Sequence, residues 1–109
     1  MSVISAIEAF RALSAKYDTY ILSTSPWNNP SASSDKVSWV HHYLGDQPDS
    51  PAYKRLILSH HKNLNVGDIL IDDRTARGAD HFDGELILFG SERWPNWDTV
   101  SRDLLNRAF

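Results

Sequence analysis

Ile71-Asp72-Asp73-Arg74 sets two carboxylates side by side. Adjacent carboxylates repel unless a cation stands with them. A hard divalent ion such as Mg²⁺ prefers oxygen ligands, commonly one or two carboxylates completed by substrate phosphate and water. The pair therefore points to Mg²⁺, against the plainer reading of a solvated Asp-Asp turn. Ten residues earlier, Lys62 offers a point cation that can neutralise a phosphate. Ser23-Thr24-Ser25 offers hydroxyls and backbone N–H groups that can donate to phosphate oxygens. Taken singly, a hydroxyl here is more often part of a turn and a lysine more often solvated surface.

What raises them above that reading is the kind of element each one follows. The steps of three and four between Val3, Ile7, Phe10, Leu13 and Tyr17 predict a helix over residues 2–16, with Ser5 and Glu8 at capping-box spacing and Lys16 in the last turn. Residues 19–24 form a β-rich run too short for a helix. Residues 26–34, dense in turn formers, are expected to be the longest loop. Ser34 is then the expected N-cap of a helix over residues 35–44, with Val37, Val40, Tyr43 and Leu44 on one face and Gly45 as its stop. Strands are expected at residues 55–58, 68–71 and 85–89, and a final helix after Asn96, with Val100, Leu104 and Leu105 inward. Residues 60–67 read as polar connection.

The alternation of strands and helices gives an α/β class with a mostly parallel sheet of about four strands and helices on both faces. Ligands of such sheets bind at the carboxyl ends of the strands. Those ends carry Thr24 and Ser25, then His60-His61-Lys62, then Asp72 and Asp73, so one crevice is expected to collect hydroxyls, an ammonium and paired carboxylates.

Composition narrows the partners. With 109 residues the chain reads as a single domain. The absence of cysteine excludes a disulfide scaffold and a thiolate metal cluster, and makes a reducing cytoplasm the default. Apolar runs of only a few residues fall well short of the ~20 that cross a bilayer, and no signal pattern opens the chain. A net charge of -3 with scattered basic residues argues against duplex nucleic acid and leaves a small phosphate compound open.

The remaining polar and aromatic clusters read mostly as packing or surface. His41-His42 and His60-His61 lack the spacing of a tetrahedral zinc site. His41 and His42 are expected on a helix surface, and His60 or His61 beside the crevice. Trp39, Trp94 and Trp97 read as packing, Arg74 as an anchor of its turn by a salt bridge. Trp27 differs, because it sits in the loop straight after Thr24-Ser25-Pro26, where a bound ligand is within reach.

Together, Ile21-Leu22-Ser23-Thr24-Ser25-Pro26, then Asp35-Lys36-x-x-Trp39-Val40, then Lys62 and Ile71-Asp72-Asp73-Arg74, resemble the 5'(3')-deoxyribonucleotidases of the haloacid dehalogenase superfamily. The resemblance covers about residues 20–89. It implies a three-layer Rossmann-like core and Mg²⁺-dependent hydrolysis of nucleoside monophosphates through an aspartyl-phosphate. By the same resemblance Thr24 and Ser25 hold the phosphoryl group, Lys36 is a second lysine near it, and Lys62 stabilises phosphate and nucleophile. Asp73 is then the direct Mg²⁺ ligand, with Asp72 holding Lys62 or a metal-bound water.

Family members also carry an Asp-x-Asp nucleophile motif closing an N-terminal strand, followed by a cap. These 109 residues contain no Asp-x-Asp, and their only acids before Thr24 are Glu8 and Asp18. The expectation is therefore a core lacking its central nucleophile-bearing strand and its cap, inactive as this chain alone. It would be completed in a homo-oligomer or by a partner chain. The alternative is a non-catalytic phosphate- or nucleotide-binding regulatory module.

Overall fold

A computed structural model describes residues 3–24, 27–75 and 78–108. The helices are α1 (Val3–Ser14), α2 (Ser31–Leu44) and α3 (Trp97–Asn106). The strands are β1 (Ile21–Ser23), β2 (Leu56–Leu58), β3 (Ile69–Asp72) and β4 (Glu85–Leu88), and single 3₁₀ turns cover Lys62–Leu64 and Ala79–His81. Two compact units result: Phe10–His60, and Met1–Ala9 together with His61–Phe109. None of the helices among the described residues is long and apolar enough to cross a membrane.

The chain is an α/β protein with parallel strand pairs. β1 lies parallel to β2 in the register Leu22 to Ile57, and β3 lies parallel to β4 in the register Ile71 to Ile87. The four strands thus form two pairs, where the sequence suggested one sheet. Each pair is closed by its own crossover, and among the described residues no ladder joins β1 to β3. Pairing of this kind depends on contacts remote in sequence, which strand propensity does not encode.

Within Phe10–His60, α2 is the main helix. It begins at Ser31, earlier than the expected Asp35, because Pro30 is already helical at φ -62° and serves as the N-cap. Proline fixes that dihedral in advance. The Ser31 hydroxyl donates to Asn29 Oδ1 at 2.9 Å and the Ala32 amide to the Asn29 carbonyl at 3.1 Å, so the turn needs no Ser34 cap. Gly45, at φ +93°, ends α2 as expected. Val40 and Leu44 are buried, while Val37 and Tyr43 are exposed, contrary to their expected inward placement. Tyr43 sits one position before the buried Leu44, about 100° around the helix, and stacks on Trp39 at 4.9 Å. β1 is held at its start by Ile21 N–H donating to the Arg55 carbonyl at 2.8 Å and at its end by Ser59 N–H donating to Ser23 at 2.8 Å. The Asp18 carboxylate takes a 2.8 Å bond from Arg55 Nε, which raises the Arg55 pKa.

In the other unit, α3 lies antiparallel to β4 and is tied to it at both ends. Trp97 at its start packs on Phe89 just beyond β4, with centroids 4.6 Å apart. Arg107 at its end makes a bidentate pair with Glu85, the first residue of β4, at 2.7 and 2.9 Å. That hydrogen-bonded guanidinium holds the Glu85 carboxyl below its usual range. Asn96 caps α3 as expected, its side chain accepting from Thr99 N–H at 2.9 Å. Val100 and Leu104 are buried, one turn apart on one side, whereas Leu105, about 100° further round, is exposed. Ile87 and Val100 are the largest fully buried side chains, and Trp94 is buried near them in sequence order.

α1 crosses the division between the units and buries Ala9 and Leu13. It starts at Val3, so Ser5 lies inside it and cannot be its N-cap; it ends at Ser14, whose hydroxyl donates to the Phe10 carbonyl at 2.7 Å. Lys16 is therefore beyond the helix, with its ammonium 6.0 Å from the Tyr17 ring.

Candidate phosphate and metal site

β1 delivers Thr24 directly at its carboxyl end, half-buried. The earlier start of α2 puts Lys36 in its second turn, where Nζ donates to the Thr24 carbonyl. An ammonium is thus fixed at the exit of β1, beside the hydroxyl expected to meet phosphate. Ser25 lies outside the described residues.

β3 ends on Asp72, and Asp73 follows it. Lys62 opens the 3₁₀ turn after β2, and its Nζ donates to Asp72 Oδ2 at 2.5 Å with the two side chains only 13% and 8% exposed. The other Asp72 oxygen accepts from the Arg74 backbone N–H at 3.1 Å. The Arg74 backbone thus holds the turn. Both Asp72 oxygens are engaged, whereas the Asp73 carboxylate is exposed and meets no partner among the described residues.

This donor set bears on Mg²⁺ directly. Among the described residues no cluster of three or more His, Cys, Asp or Glu could hold a metal. Mg²⁺ keeps several waters and takes one or two carboxylates with substrate phosphate, and an exposed Asp73 beside a fixed Asp72 fits that demand. Lys62 and Asp72 meet within one unit, and Lys36 and Thr24 meet within the other.

One feature had no signal in the sequence. The Lys62–Leu64 turn packs on the Ala79–His81 turn, and Gly78, at φ +84°, opens the second. A Cβ at Gly78 would fall 2.2 Å from Asn63 Oδ1 and 3.2 Å from the Asn63 backbone nitrogen. The amide oxygen can swing away, but the backbone beside Lys62 must shift. The left-handed dihedral itself costs a β-carbon residue about 1–2 kcal/mol. Gly78→Ala should lower stability by at least that much in urea unfolding and weaken phosphate binding measured by calorimetry.

His60 follows Ser59 after β2 and its Nε2 is buried without a hydrogen-bond partner among the described residues. His41 and His42 are exposed on α2 as expected.

The family model described as "5' nucleotidase, deoxy (Pyrimidine), cytosolic type C protein" matches residues 1–102. A protein of Vibrio phage KVP40 named "Putative 5'(3')-deoxyribonucleotidase" is 56% identical over 95 residues, covering 87% of this chain and 54% of its own length. Proteins of the same name from Bordetella bronchiseptica and Bordetella pertussis are 43% and 41% identical over 70 residues, covering 63% of this chain and 36% of their own. The chain thus spans about half the length of the phage relative and about a third of the Bordetella ones. No solved structure matches it.

Proposed function

Because the chain belongs to the cytosolic type C 5'-deoxynucleotidase family, we propose that it is the phosphate- and metal-binding part of a cytoplasmic phosphatase of the haloacid dehalogenase superfamily, acting on nucleoside 5'-monophosphates. The observation that carries this reading is the Lys62–Asp72 pair at 2.5 Å beside an exposed Asp73 that meets no partner among the described residues. A lysine held by one carboxylate and a second carboxylate left open is what a phosphate with a bound Mg²⁺ requires.

In this reading Thr24 and Ser25 donate to the phosphoryl oxygens, and Lys36 and Lys62 offset their charge. Asp72 keeps the Lys62 ammonium in place, and Asp73 ligates Mg²⁺. When bound, Mg²⁺ would screen the phosphate charge and favour attack at phosphorus. The attacking carboxylate is absent from these residues, which contain no Asp-x-Asp. A strand carrying it would have somewhere to pair. β1 pairs only with β2 and β3 only with β4 among the described residues, so each has an edge whose backbone groups can accept a further strand.

The test is calorimetry and phosphate release with thymidine 5'-monophosphate, with and without Mg²⁺. Expected are Mg²⁺-dependent binding without turnover by this chain, and turnover when a polypeptide bearing an Asp-x-Asp strand is added. Absence of binding would sink the reading. Binding with no turnover under either condition favours the regulatory module, the second reading that the missing motif supports.

A further inference from the structure

We infer that Trp27 is the stacking platform for the nucleobase of the bound nucleotide, an inference that rests on the phosphate-binding role proposed for Thr24. The other tryptophans are occupied: Trp94 is buried, Trp97 packs on Phe89 and Trp39 on Tyr43. Trp27 is 89% exposed, and its indole makes no hydrogen bond or ring contact among the described residues. An indole offers ~150–250 Å² of surface to bury, so leaving it in water forgoes a large gain unless a ligand covers it.

Its position selects the ligand. Trp27 is three residues from Thr24, so their Cα atoms are at most about 11 Å apart. Described residues on either side of it in sequence, Thr24 and Asn29, are each held by a hydrogen bond. Lys36 Nζ holds the Thr24 carbonyl, and Ser31 and Ala32 hold Asn29 at 2.9 and 3.1 Å. An indole, with only two side-chain torsions to fix, meets a flat partner at low entropic cost. A molecule whose phosphate reaches Thr24 and whose other end is a flat aromatic base fits that arrangement. Stacking reads the face of a base rather than its edges, so Trp27 should accept pyrimidines and purines with little discrimination.

The experiment titrates the Mg²⁺-loaded chain with thymidine 5'-monophosphate, deoxyribose 5-phosphate and inorganic phosphate, following the indole N–H resonances, with that of Trp27 identified by its loss in Trp27→Phe. The nucleotide should shift the Trp27 signal and deoxyribose 5-phosphate should not. The affinity ratio of nucleotide to deoxyribose 5-phosphate should fall about tenfold in Trp27→Ala and recover in Trp27→Phe. An equal ratio in wild type and Trp27→Ala, with phosphate esters still bound, overturns the inference and leaves the phosphate site standing. Failure of every phosphate ester to bind overturns both. A Trp27 signal that moves with protein concentration in the absence of ligand would mean that a second copy covers the indole, and it too overturns the inference.

Discussion

Lys62→Met should cost the protein about 3 kcal/mol of stability and at least a tenfold loss of phosphate affinity. The stability loss follows from what remains. With Lys62 gone, Asp72 stays 8% exposed with no other cation paired to it among the described residues, and breaking a buried pair from one side typically costs about 3–5 kcal/mol. The lower end applies because both side chains retain some solvent contact. The affinity loss has a different origin. A charge-assisted hydrogen bond is worth ~1.5–3 kcal/mol, and each 1.4 kcal/mol is tenfold in binding. The double variant Lys62→Met/Asp72→Asn separates the two effects. It removes the stranded charge, so urea unfolding should recover most of the stability while calorimetry with phosphate recovers none of the binding. Restored binding in the double variant would remove Lys62 from the phosphate site.

Ile87→Ala should cost about 2–5 kcal/mol and Ile87→Val about 0.5–1.5 kcal/mol, measured by urea unfolding. Ile87 is fully buried in β4, and β4 has only β3 as a strand partner among the described residues. A two-stranded pair is marginal by itself, so the stability of β3–β4 comes from the apolar layer that α3 holds against it between the Trp97–Phe89 and Arg107–Glu85 contacts. Removing Ile87 opens a cavity in the middle of that layer. Against a typical total of ~5–15 kcal/mol, the alanine variant should leave a substantial unfolded fraction. A loss below 0.5 kcal/mol for alanine would mean that Ile87 is not packed as described.

Features legible from the residues were those set by local chemistry. Asn96 caps α3 because its side chain reaches an amide three residues on, and Gly45 stops α2 because it takes φ +93°. Asp72 closes β3 because apolar residues lead straight into it. The structure departs from the local signals where two of them compete. Ser34 resembles an N-cap, yet the proline at position 30 starts α2 earlier, and that difference decides which turn presents Lys36. Tyr43 and Leu105 lie at the edge of their helices' apolar faces and are exposed, because a periodic pattern leaves the edges of such a face undetermined.

The family of the chain was readable from residue types and order alone, since its carboxylate pair, hydroxyl-rich strand end and lysine at a fixed distance are carried in the chain itself. Tertiary structure decided which of them share a bond: Lys62 with Asp72, and Lys36 with the Thr24 carbonyl, while Asp73 meets no partner among the described residues. It also decided that Asn63 leaves no room for a Cβ at position 78 and that four strands pair two by two among the described residues. Such contacts join residues far apart in sequence, and their geometry depends on the packing of whole elements, a quantity that no local window of residues contains.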